Sequence, residues 1–72
     1  MFAERLNQVR KERGFTAQKM ADELGIGLRS YRAYESGDRE PQFSNLIRIA
    51  DTLDVSTDYL LCRDEFLSRH AD

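Results

Sequence analysis

Apolar residues along the chain recur three and four apart, the spacing that places them on one face of a helix. Phe2, Leu6, Val9 and Arg13 predict a first helix over residues 2–13, with Arg5, Gln8, Lys11 and Glu12 mostly on wet faces and Gly14 as its stop. Thr16 is a good N-cap, Phe15 before it can pack on the stem of Lys19 or on Met20, and Met20, Ala21 and Leu24 follow at helical spacing until Gly25 offers a left-handed stop. The pattern restarts at once. Ile26 lies in the turn, Gly27 can cap the next helix, and Tyr31 and Tyr34 mark the inner side of a third helix over 28–36 that ends at Gly37. Leu28, Arg29, Arg32 and Ala33 point elsewhere, so this helix projects side chains outward. The two tyrosines read as core residues whose hydroxyls reach the rim.

Pro41 forbids a helix through Gly-Asp-Arg-Glu-Pro-Gln at 37–42. Leu46, Ile49, Ala50 and Leu53 then predict a fourth helix over 43–53. Asp54 stands at the helix end where glycine is common, and Ser56 caps a short fifth helix containing Tyr59, Leu60 and Leu61. Beyond it, Phe66 and Leu67 either add a turn of helix against a partner subunit or belong to a mobile tail.

A helix, a tight turn with glycine and a second helix form the helix-turn-helix unit, whose second helix enters the major groove of DNA. With Thr16, Met20-Ala21, Leu24-Gly25, Ile26, Ser30, Tyr34-Glu35-Ser36-Gly37, Arg39 and Pro41, the chain resembles the phage-repressor and Cro-like, or Xre-like, family. Leu46, Ile49-Ala50, Leu53, Val55-Ser56 and Asp58-Tyr59-Leu60-Leu61 extend the resemblance over residues 4–61. It implies an all-α, compact five-helix lambda-repressor-like domain over residues 1–62, with the helix-turn-helix at helices 2 and 3 and a tail over 63–72. It also implies a transcriptional regulator, a repressor in the first instance, that binds a pseudopalindromic operator as a homodimer.

The same resemblance assigns roles. Leu28, Arg29 and Ala33 correspond to base-contacting positions. Among them Arg29 alone could fork onto guanine O6 and N7, with a plain phosphate contact as its other reading. Backbone contacts fall to Thr16, Ala17, Gln18, Gly27, Ser30, Arg32, Arg39, Ser44 and Asn45. Many relatives carry at position 17 a glutamine that holds a phosphate, so Ala17 leaves that duty to the helix N-terminus. Many also cap the fourth helix with serine where this chain has Gln42, an exchange that predicts a fraying start. Arg39 is divided between a phosphate or minor-groove contact and plain solvation, with Asp38 and Glu40 opposing the first. Arg10 is expected to pair with Glu35. Leu60, Leu61, Phe66 and Leu67, left over once the core is assigned, are the expected dimer contact.

Composition changes this picture in one respect. At 72 residues, 40% apolar and 33% charged, the chain is ordinary for one small globular domain. A formal net charge of −2 sits badly with binding to phosphates. Its distribution softens the objection, because residues 1–39 hold eight basic and six acidic side chains, and residues 40–72 three and seven. A protein-interaction module on the same fold, antitoxin-like or antirepressor-like, is the competing reading and would account for the acidity. Cys62 is the single cysteine and His70 the single histidine, so the sequence offers no internal disulfide and no cysteine-based metal cluster within one chain. Nothing resembles a nucleophile with its base or a phosphate loop, and no enzyme activity, cofactor or small-molecule ligand is expected. No apolar run approaches bilayer length and the N-terminus has no signal-peptide core, so the expectation is a cytoplasmic protein without membrane partners.

Overall fold

Local capping chemistry decides where each helix starts and stops. In the computed structural model, which describes residues 2–63, the helices are α1 Phe2–Glu12, α2 Ala17–Leu24, α3 Leu28–Ser36, α4 Phe43–Leu53 and α5 Thr57–Leu60. The Thr16 hydroxyl accepts from the Lys19 amide at 3.0 Å, and Ser56 accepts from the Tyr59 amide at 3.0 Å. Gln42 caps α4 without a side-chain hydrogen bond, yet the helix begins at Phe43 as the sequence predicts. The first helix stops at Glu12, which leaves Arg13 exposed beyond it. Arg13 is therefore not part of the apolar stripe on which the sequence places it.

The ends of α1, α2 and α4, like that of α5, where Cys62 at φ 61° precedes the 2.8 Å bond from the Arg63 amide to the Asp58 carbonyl, share one device, a left-handed residue followed by an amide that reaches back five residues. Phe15 donates to the Arg10 carbonyl at 3.1 Å, Ile26 to Ala21 at 3.0 Å and Val55 to Ala50 at 3.0 Å. Glycine supplies the positive φ in the first two, but at the end of α4 it is Asp54, with φ 57°. A non-glycine residue there is strained, and its carboxylate also faces the negative end of the helix. Asp54 is exposed and no packing would be lost, so Asp54→Gly is expected to stabilise the fold by about 0.5–1 kcal/mol. Urea unfolding checks this; an unchanged or lower midpoint would mean that Asp54 is not strained.

The core is one cluster of Leu6, Val9, Met20, Ala21, Leu24, Tyr31, Tyr34, Leu46, Ile49, Ala50, Leu53 and Leu60. Through it α3 packs on α1 and α2, α4 on α2 and α5, and α5 on α1. Leu60 is fully buried here, so it cannot meet a partner subunit as expected, whereas Leu61 next to it is 42% exposed. Phe43 and Ile47, one helical turn apart on α4, are also exposed. Arg5 departs from its expected wet face: it donates to the Tyr59 carbonyl at 3.1 Å and its guanidinium lies 4.3 Å from the centre of the Tyr59 ring, tying α1 to α5. The expectations for Phe66, Leu67 and His70 lie outside the described residues.

Candidate nucleic-acid interface

The turn between α2 and α3 sets the direction of the third helix. Gly25 takes φ 68° and Gly27 an extended φ of −72°, and the Gly27 carbonyl accepts from the Tyr31 amide at 3.1 Å to open α3. Tyr31 and Tyr34 then fix which side of α3 turns inward. Both are buried, with ring centres 6.3 Å apart in an edge-to-face arrangement. Arg29 and Arg32 are left exposed on the outer side, and Leu28, Ser30 and Ala33 are half-buried.

Glu35 is the one acidic residue of α3, and it is turned in toward α1. Arg10 Nε donates to Glu35 Oε2 at 2.6 Å and Nη2 to Oε1 at 3.2 Å, so the expected pair is formed in forked geometry. Asn7 Nδ2 adds a bond to Oε1 at 2.7 Å, and the Tyr31 hydroxyl donates to Oε2. Arg10 Nη1 also donates to the Phe15 carbonyl at 2.8 Å, holding the entry to α2. Burial pushes the Glu35 carboxyl up, but the bonds from Arg10, Tyr31 and Asn7 outweigh it and hold the group below the usual carboxylate range. Hydrogen bonding to Glu35 raises the Arg10 guanidinium in turn. Two consequences follow: the roll of α3 against α1 is fixed, and the outward side of α3 carries Arg29 and Arg32 with no acid of its own. Asn7 was not legible as a partner, although it lies three residues before Arg10 and therefore on the same face of α1.

The remaining candidate residues divide into groups. Arg29, Ser30, Ala33 and Arg39 border one shallow cleft, joined by Asp38; Leu28 does not line it. Ser30 and Arg39 also border a second cleft, between α3 and α4, together with Tyr34, Glu40, Gln42 and Asn45. The Asn45 amide donates to the Tyr34 hydroxyl at 3.2 Å, and Ser44 is exposed in the first turn of α4. At the start of α2, Thr16 is occupied as the cap and Gln18 donates to Asp22 at 3.0 Å, so Gln18 must give up that bond to reach a phosphate by its side chain. Ala17 can offer only its backbone amide. Among the described residues no group of His, Cys, Asp and Glu could hold a metal ion, and no helix is long and apolar enough to cross a membrane.

Comparison with known proteins agrees with this geometry. A helix-turn-helix domain family matches residues 3–63. The chain is 54% identical over 61 residues to the uncharacterized HTH-type transcriptional regulator YqaE of Bacillus subtilis (strain 168), covering 85% of this chain and 53% of that protein. It is 50% identical over 60 residues to the cryptic phage CTXphi transcriptional repressor RstR of Vibrio cholerae, covering 83% and 54%. The chain thus spans about half the length of the curated relatives it matches. Among solved structures, the biofilm master regulator SinR in complex with DNA superposes with a TM-score of 0.77 at 29% identity, covering 85% of this chain and 98% of that one. The restriction-modification controller protein C.AhdI of Aeromonas hydrophila gives 0.76 at 25%, covering 82% and 89%. The five helices, the glycine turn before an outward-facing third helix and the match over residues 3–63 place this chain in the Xre/Cro-like family of helix-turn-helix transcriptional regulators.

Proposed function

We propose that this domain binds double-stranded DNA sequence-specifically and represses transcription by occupying a pseudopalindromic operator as a homodimer. The observation that carries the reading is the outer side of α3, which presents Arg29 and Arg32 while the only acid of the helix is withdrawn against α1. The repressor named among the relatives and the DNA complex of SinR support it. In this reading α3 lies in the major groove with Leu28, Arg29 and Ala33 toward the bases. Ser30, Arg32 and Arg39 face the backbone, joined by the amides of Thr16, Ala17, Gln18 and Gly27 and by Ser44 and Asn45 at the start of α4. Leu61 takes part in the dimer contact, for which Leu60 is not available.

The net charge of −2 does not oppose this reading, because only phosphate-facing cations count. With Arg32 and Arg39 as the backbone cations of each protomer, a dimer neutralises about four phosphates, giving a log–log salt slope of about −3.6 and roughly a 100-fold loss of affinity from 50 to 200 mM salt. Titrating a selected duplex at several salt concentrations, with sedimentation of the free protein and the complex, tests both parts. Absence of binding even at low salt would favour a protein-interaction module on this fold. One protomer per specific site at saturation would sink the homodimer.

A further inference from the structure

We propose that the Tyr34 hydroxyl, positioned by Asn45 in the cleft between α3 and α4, donates a hydrogen bond to a DNA phosphate. The inference rests on the DNA-binding reading above and adds to it an anchor that is neutral, buried and fixed in direction. Tyr34 is only 5% exposed, and its ring packs edge-to-face on Tyr31. Phenylalanine would fill that space equally well, so the hydroxyl calls for its own account. Its oxygen accepts from Asn45 Nδ2 at 3.2 Å, while its proton finds no acceptor among the described residues. A hydroxyl with an unused proton at the wall of an open cleft, on a side chain otherwise buried, can take an acceptor that arrives from outside.

Two features of the cleft favour an anion as that acceptor. Arg39 and Ser30 line it, and both also border the neighbouring cleft that holds Arg29 and Ala33, so a group bound here lies beside the reading face. The first turn of the eleven-residue α4 opens on it, and the cap Gln42 makes no side-chain bond to the free amides of that turn. Glu40 lines the cleft as well, exposed to water, and is the one acid among its lining residues, beside the one cation Arg39. A phosphate oxygen is an acceptor-only anion and would complete the chain from Asn45 through Tyr34, with each bond polarising the next.

A neutral donor leaves a signature unlike that of an arginine. Releasing no counterion, it contributes affinity without contributing to the salt slope. Tyr34→Phe is therefore expected to weaken binding about tenfold on the operator and on every single-base variant alike, with the salt slope unchanged. Arg39→Gln should instead reduce the slope, by about 0.9 for each protomer. A duplex series with one methylphosphonate at a time identifies the phosphate: at one position per half-site the substitution weakens wild type more than it weakens Tyr34→Phe. Asn45→Ala should lose several-fold in wild type and less in the Tyr34→Phe background, the difference being what Asn45 contributes through Tyr34. Equal affinity of Tyr34→Phe and wild type would overturn the inference while leaving the DNA-binding reading intact, as would a loss confined to one base pair or losses that multiply at every phosphate. Failure of the wild type to bind duplex at any salt would remove the DNA-binding reading and this inference together.

Discussion

Glu35→Ala is expected to cost about 3 kcal/mol or more of folding stability, where a typical surface change stays within roughly 0.5 kcal/mol. The carboxylate accepts from Arg10, Asn7 and Tyr31 at a site where the Arg10 and Glu35 side chains are only 12% and 11% exposed. Removing it strands a cation, an amide and a hydroxyl together. Arg10→Ala should cost less, because Glu35 keeps the bonds from Asn7 and Tyr31, although the Phe15 carbonyl loses its donor. Denaturant unfolding of both single variants and the double variant measures the coupling. A deficit of about 1 kcal/mol or more from additivity is expected, and losses that simply add would show that the two side chains do not stabilise each other. The pair should also shape the acid limb of the stability curve. A carboxyl held below its unfolded value stabilises fully above about pH 4 to 5 and loses that contribution as pH falls through the depressed folded value. Glu35→Gln should therefore begin from lower stability at neutral pH and decline less on acidification. Tyr31 remains a donor to Glu35 throughout this range, since burial, and then the bond itself, push its phenol up.

Arg29→Ala is expected to cost about 1–3 kcal/mol of binding free energy and to relax preference at one base pair if the guanidinium forks onto a guanine. Arg29 is exposed near the start of α3, and neither Leu28 nor Ala33 can make a directional hydrogen bond to a base. A phosphate contact would behave differently, weakening binding on every sequence alike and reducing the salt slope by about one per protomer. Affinities of wild type and variant for the operator and its single-base variants, measured at several salt concentrations, separate the two. A uniform loss with unchanged preference would rule out base reading by Arg29 and leave specificity to Leu28, Ala33 and the deformability of the DNA.

Thr16, Gly25, Gly37 and Ser56 made the starts and stops of the helices legible from the sequence, because a capping bond spans at most five or six residues and depends on little beyond them. Apolar spacing likewise determined the inward faces of α2, α3 and α4, each long enough for a 3.6-residue period to leave one consistent stripe. The Arg10–Glu35 pair was legible only through family resemblance; nothing in the spacing of two residues 25 apart announces a contact. Tertiary structure decided the rest. At four residues α5 is barely one turn, too short for periodicity to fix its rotation, and packing against α1 and α4 sent Leu60 inward and Leu61 outward. An arginine can lie on apolar surface or extend into water with little difference in local energy; the Tyr59 ring and carbonyl, 54 residues away, settled Arg5 against α5. Asn7 became a third donor to Glu35, and Asn45 a partner of Tyr34, for the same reason. The acceptor for a side-chain donor is chosen by whichever group the fold brings within about 3 Å, and that distance is set by how whole helices pack rather than by the residues around the donor in the chain.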